Sequence, residues 1–178
     1  MITFRFAGEN DAAAVAALHA KSWQQNYRGV FSDHYLDHEV KSERLSVWKE
    51  RLANPPENQF VHVAEIDDEF VGFVCGYMDH HPEYGTLIDN LHVHSEFIGQ
   101  RIGERLMVNA AAFLEDKNRA SMYLWVLVSN AKAIKFYERI GGKPRETVND
   151  FDIGDQEITK TRYFWPDLKF ILSLSTKE

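Results

Sequence analysis

Gly99, Arg101, Gly103 and Arg105 fall within a few residues of one another, just after a run that reads as a strand. Leu87, Asp89, Leu91 and Val93 alternate there on one face, and residues 95–101 read as a turn. A helical repeat then takes over, with Ile102, Leu106, Ala110 and Phe113 on one stripe. A strand that passes through a glycine-bearing loop into a helix offers unpaired amide hydrogens and the positive end of the helix dipole to an anion, and phosphate is the natural occupant. The plainer alternative is a connection whose glycines only shape the turn. His80, His81, His92 and His94 suggest a metal at first sight. Their spacings match no familiar zinc pattern, so no metal is expected. Cys75 lies in an apolar run and reads as inert packing. Trp23, Tyr27 and Phe31 recur every fourth residue, which suits a core-facing edge or, alternatively, the aromatic wall of a pocket.

These residues must be held by a succession of strands and helices. Ile2, Phe4 and Phe6 alternate as an opening strand. Asn10 or Asp11 can cap a helix striped by Ala14, Val15 and Leu18, and Gly29 breaks the helical pattern beyond it. Leu45, Trp48 and Leu52 mark a second helix, closed by Asn54-Pro55-Pro56. Residues 60–66 and 70–78 read as a hairpin turned by Asp67-Asp68-Glu69, with Gly72 and Gly76 on one face where another element could approach. Beyond the central strand and helix, residues 122–128 form an apolar run of the kind buried on both faces. Ser129-Asn130 caps the helix 131–140, Gly141-Gly142 stop it, and two closing strands lie near 145–151 and 157–165 with a turn at Gly154-Asp155.

The expected architecture is one mixed α/β domain over residues 1–178, with about seven strands and about four helices. A net charge of −7 argues against a nucleic-acid partner and is compatible with a cationic or amine substrate. One cysteine excludes an internal disulfide, and no apolar run approaches the roughly 20 residues of a membrane span. With no hydrophobic leader at the amino terminus, a cytoplasmic location without membrane contact is expected.

Two motifs then give the chain a likeness. Asn130-Ala-Lys-Ala-Ile-Lys-Phe-Tyr137-Glu-Arg-Ile-Gly141 resembles the Asn…Ala…Phe-Tyr…Gly helix of the GNAT superfamily of acyl-CoA-dependent N-acetyltransferases. The central strand–loop–helix is similar to that superfamily's pattern of Arg or Gln, two residues, Gly, one residue, then Gly or Ala. It departs from that pattern at two places: Ile98 stands at the Arg/Gln position and Arg101 at the first motif glycine. The element order matches over essentially the whole chain.

The resemblance implies acetyl-CoA as cofactor and an amine of a small molecule or peptide as acceptor, attacked through a tetrahedral intermediate. It implies that the amides of Gly99, Gln100, Arg101, Ile102, Gly103 and Glu104 cradle the pyrophosphate. Leu91 and Val93 would pair with the pantetheine arm as an added strand would. Asn130 would hydrogen-bond that arm, and the Val93 N–H would meet the oxyanion. Tyr137 would sit over the sulfur as general acid. The base would lie on the central strand at position 87 or 89. Leu87 cannot act, so Asp89 is the candidate, working directly or through water, with Glu83, Tyr84 and His92 behind it. The acceptor pocket would lie between the first two helices and the closing strands, near Trp23, Tyr27, Phe31 and Asp150. A coenzyme A-binding module without catalysis is the alternative of the same fold. An unrelated nucleotide-binding protein would want a Gly-rich loop after an early strand and a downstream ribose-binding acid, which the chain lacks. The tail Tyr163-Phe-Trp-Pro and Phe170-Ile-Leu could pack on the domain or on a second copy in a homodimer.

Overall fold

The computed structural model describes residues 1–151 and 154–176. Seven strands form one mixed sheet: β1 (Ile2–Phe6), β2 (Gln59–Ile66), β3 (Glu69–His81), β4 (Gly85–Val93), β5 (Met122–Leu127), β6 (Lys143–Asp150) and β7 (Ile158–Trp165). Their spatial order is β1-β2-β3-β4-β5-β7-β6. Only β4 and β5 run parallel, and that pairing needs a crossover, which α3 (Ile102–Asp116) supplies. Helices α1 (Ala12–Asn26) and α2 (Val40–Ala53) cover one face. α3, α4 (Ala131–Arg139) and the single turn α5 (Lys169–Leu172) belong to the other.

Each face of the sheet carries its own core. On the α1/α2 side Val15, Leu18, Trp48 and Leu52 meet Val61, Val63, Phe73 and Cys75. On the α3 side Leu106, Met107, Ala110 and Leu114 meet Val71, Val74, Ile88 and Leu124. Cys75 is fully buried on the α1/α2 side and burial pushes its thiol up, which fits inert packing. The carboxy-terminal turn packs on the same domain: Leu168 and Ile171 are buried, and Phe170 lies against Gly141.

Three features differ from the sequence reading. α1 stops at Asn26, before the break expected at Gly29 (φ +77°), so Tyr27 as well as Phe31 lies beyond the helix. Both rings nevertheless pack on Trp23, Tyr27 stacked at a centroid separation of 5.3 Å and Phe31 tilted by 51° at 5.4 Å. A π-helical turn, Tyr35–Glu39, runs straight into α2 and buries Tyr35 and Leu36. The third difference is in β4. Cys75 pairs with Asn90 but Gly76 with Ile88, so Asp89 is an extra residue in the ladder. That bulge reverses the alternation. Leu87 shares a face with Asn90 and His92, toward α1 and α2, while Ile88, Leu91 and Val93 face α3.

Gly72 and Gly76 do accept close neighbours. A Cβ on Gly72 would stand 2.7 Å from the His92 carbonyl oxygen and 3.3 Å from the Leu106 side chain. Gly72→Ala is therefore expected to cost about 1–3 kcal/mol through overpacking. Gly8→Ala, which meets nothing within 4 Å, is expected to change little. Equilibrium urea unfolding of both variants reads the difference, and equal midpoints would refute the close approach of α3 to β3.

Candidate active site

β4 and β5 are paired only at Thr86 with Met122 and Leu87 with Tyr123, and then separate. Between them opens a cleft of about 920 Å³. Its walls come from β4, β5, α1, α2, α4 and the loop into α3. His94 donates its N–H to Val71 on β3, at 2.9 Å. By strand alternation Val93 and Leu91 turn their N–H and C=O groups the other way, to the edge that β5 has left.

At the mouth of this gap lies the amino end of α3. Its first backbone bond runs from the Arg105 N–H to the Arg101 carbonyl, so the amides of Ile102, Gly103 and Glu104 precede it without a carbonyl partner among the described residues. The Gln100 amide differs from the expectation, because it already donates to the Phe97 carbonyl. A Cβ on Gly103 would stand 3.5 Å from Phe136 and 3.7 Å from Val93, which is ordinary contact. Nothing inside the protein therefore requires that glycine, and its bare amide leaves room for a ligand. Gly99 is required by its conformation, φ +92°.

Arg101 caps this helix in the left-handed region, φ 60° and ψ 15°, a conformation that costs an L-residue roughly 1–2 kcal/mol. The family's glycine at this position would carry no such cost. The Arg101 side chain turns onto Glu104, with Nε 2.9 Å from Oε1. Arg139 on α4 holds the other oxygen at 2.7 Å. Glu104 is thus buried with two guanidinium partners in the first turn of α3.

Asn130 accepts the Ala133 N–H at 3.1 Å and caps α4, leaving its Nδ2 hydrogens for another acceptor. Tyr137 follows two turns later and lines the cleft. Burial, with nearby Tyr27 adding to it, raises its hydroxyl well above the ordinary phenol, so it stays protonated. Burial and the Asp89 charge push Tyr27 up to about 12.

Asp89 sits at the bulge and reaches back to Arg51 on α2, at 2.8 Å. Arg51 also contacts Asn90 Oδ1 at 3.2 Å. Asp89 and His92 therefore face the same side, contrary to the parity of an unbroken strand. His92 hydrogen-bonds Ser22 through Nδ1 at 2.9 Å and stacks on His19 at 4.7 Å. His19 Nδ1 accepts the Trp48 indole N–H at 2.9 Å. Burial lowers His92 to about 4 and takes His19 well below its ordinary value, so both rings are neutral.

Of the aromatic and acidic residues expected at an acceptor pocket, Trp23 and Tyr27 line the cleft. Phe31 does not. It is buried beneath Gly154 and next to Tyr35, so the core-facing reading holds for that ring. Asp150 does not line the cleft either, and its carboxylate is bound to Lys160, which does. Sequence reasoning missed Arg44, Arg51, His19, Trp125 and Lys160 as cleft residues, because each depends on how α1, α2, β5 and β7 come together around the cleft. Among the described residues no three His, Cys, Asp or Glu side chains gather as a metal site. His80 instead pairs with the Tyr123 hydroxyl at 2.7 Å, and His81 accepts the Glu83 and Tyr84 amides.

The acetyltransferase (GNAT) family profile matches residues 16–142, and the chain belongs to that family, a class of acyltransferases. An uncharacterized N-acetyltransferase of Bacillus subtilis, YuaI, is 27% identical over 180 residues, covering 98% of each chain. Two solved structures show the same fold. The PaiA N-acetyltransferase of Thermoplasma acidophilum, in complex with coenzyme A, superposes with a TM-score of 0.69 at 19% identity, over 90% of this chain and 98% of that one. A variant of the spermidine N-acetyltransferase SpeG from Vibrio cholerae gives 0.68 at 18% identity, over 95% of each chain. No helix among the described residues is long and apolar enough to cross a membrane.

The buried neutral histidines make a pH prediction. His92 and His62 have folded values of about 4, through burial, against about 6.5 unfolded. A group depressed on folding contributes stability that is complete above the unfolded value and is lost as pH falls through the folded one. Unfolding free energy is expected to drop between about pH 6.5 and pH 4, by up to about 1.4 kcal/mol per pH unit for each such histidine. Urea unfolding at a series of pH values checks this. His92→Gln is expected to flatten the slope, and an identical pH profile in that variant would show that His92 is not buried in its neutral form.

Proposed function

We propose that the protein is an acetyl-CoA-dependent N-acetyltransferase acting on an amine of a small molecule or peptide, with Tyr137 and Asp89 as its catalytic residues. What supports the reading most is the gap between β4 and β5. The backbone of Leu91 and Val93 turns into it, unpartnered amides stand at one end, and a protonated tyrosine lines it.

Acetyl-CoA supplies the acetyl group as a thioester, whose carbonyl carbon the amine attacks and whose sulfur leaves as a thiolate. The residues present fit that group. The amides of Ile102, Gly103 and Glu104, beside Gly99 and Arg101, suit a pyrophosphate, because the helix dipole and the guanidiniums offset its charge. Leu91 and Val93 offer their backbone to the amide-bearing arm, and Asn130 offers its Nδ2 hydrogens. The Val93 N–H is placed to stabilise negative charge developing on the carbonyl oxygen. Asp89 receives the proton that the amine must lose, through a water, since Arg51 already occupies one of its oxygens. Tyr137 gives its hydroxyl proton to the departing sulfur.

The hold of Arg51 on Asp89 is the observation that favours the other reading, a coenzyme A-binding module without turnover. Two measurements separate them. Calorimetry with coenzyme A tests binding, and thiol release from acetyl-CoA with a panel of amines tests catalysis. Binding without release for any amine would select the module. In an active enzyme Tyr137→Phe is expected to lower kcat about 100-fold or more while coenzyme A affinity stays within a few-fold. An unchanged kcat would remove Tyr137 from the mechanism. Asp89→Asn is expected to lower kcat/KM at neutral pH and to recover part of it as pH rises and the free amine loses its proton unaided.

A further inference from the structure

The chain carries a net charge of −7, yet the α1/α2 half of the cleft is lined by three cations, Arg44, Arg51 and Lys160, and by one carboxylate, Asp89. Asp89 is already held by Arg51. Lys160 and Arg44 have their acidic partners, Asp150 and Glu43, outside the lining. What the cleft presents on this side is guanidinium and ammonium.

The hydrogen bonds point the same way. The indole of Trp48 can only donate, so His19 Nδ1 accepts, and the neutral ring carries its proton on Nε2. That nitrogen is buried without a partner, in a side chain only 1% exposed. The Arg44 Nε–H is likewise buried without a partner, and its guanidinium lies over the Trp23 ring at 4.8 Å. Trp23 also touches His19, ring to ring at 4.9 Å. Two unsatisfied donors thus flank one indole, and both belong to residues lining the cleft. Buried donors want acceptors, and a group with several acceptor oxygens and negative charge satisfies both at once.

We infer that the acceptor is an amine that also carries an oxyanion, a carboxylate or a phosphate, received by Arg44 and His19 against Trp23. This rests on the acetyltransferase reading and narrows it. A polyamine brings only donors and positive charge, and would meet Arg44, Arg51 and Lys160 with neither partners nor attraction.

The test uses the full chain with acetyl-CoA and matched acceptor pairs, read as thiol release. The pairs are amino acids against the corresponding decarboxylated amines, and phosphoethanolamine against ethanolamine, with spermidine alongside. The anionic member of at least one pair is expected to be preferred 10-fold or more in kcat/KM, and which pair shows it identifies the oxyanion. Arg44→Gln is expected to raise KM for that acceptor about 10-fold and to collapse the preference over its uncharged partner. Arg44→Lys, which keeps the charge and loses the fork, is expected to fall between. Should Arg44→Gln fail to fold, His19→Gln and Arg44→Lys give the same reading through KM. Preference for spermidine or for the uncharged amines would overturn the inference and leave acetyl transfer standing. Release with no amine from protein that binds coenzyme A would remove both.

Discussion

Everything distinctive about this molecule stems from two parallel strands that cannot stay together. β4 and β5 share two residue pairs and then part. Parting them leaves a row of backbone donors and acceptors along β4 beyond Leu87. Water can satisfy that row in an open cleft, which is why the fold tolerates it. The bulge at Asp89 falls two residues after the last shared pair. An extra residue there increases the local twist of β4, and the strand bends away from β5 as it passes the bulge. The same extra residue places Asp89 and His92 on one side and hands Leu91 and Val93 to the α3 core. One irregularity therefore accompanies the opening of the cleft and turns its polar residues toward α1 and α2.

The far end of the cleft shows how a charge is kept in a place that would otherwise reject it. Glu104 lies buried in the first turn of α3, where the helix dipole favours an anion. Burial of a lone carboxylate would be costly, and two guanidiniums, Arg101 and Arg139, offset it. To reach Glu104 from the cap position Arg101 adopts a left-handed backbone that glycine would take without strain. The departure from the family motif at this position is thus an exchange of backbone ease for an ion pair. Because Arg139 belongs to α4, the same cluster ties the carboxy-terminal end of α4 to the start of α3.

Much of this was legible in the sequence, for identifiable reasons. Alternation, caps and glycine stops located every strand and the four longer helices to within a few residues, because each is amphipathic or bounded by a strong signal such as Asn130 or Gly141-Gly142. Tyr137 and Asn130 stood out through the family helix motif they belong to, and the loop glycines through their place between a strand and a helix. The bulge at Asp89 left no trace, since a strand with one extra residue has the same composition as one without it. That single omission put Asp89 on the face of Val93 and His92 on the other. Phe31 and Asp150 were misplaced for a related reason: periodicity says which residues share a face, and only packing says whether that face meets a cleft or a core. Arg44 and Arg51 lie on the polar side of an ordinary amphipathic helix, where nothing local separates a cleft cation from a solvated one.

The cations of the acceptor half also bear on how an amine can react there. Nucleophilic attack needs the neutral amine, and on the proposed reading Arg44, Arg51 and Lys160, each already paired with a carboxylate, would add nothing that holds an entering ammonium in its charged form. On the proposed mechanism a strong base is correspondingly less necessary, and Asp89 would pass on the ammonium proton while tied to Arg51. The neutral His19 and His92 fit the same scheme: buried without a carboxylate partner, they add no negative charge that would hold the ammonium form in place. An isolated carboxylate would attract an ammonium strongly and also stabilise it as such. The arrangement seen here gives up that attraction, and on the inference drawn above an oxyanion elsewhere on the acceptor would supply the binding.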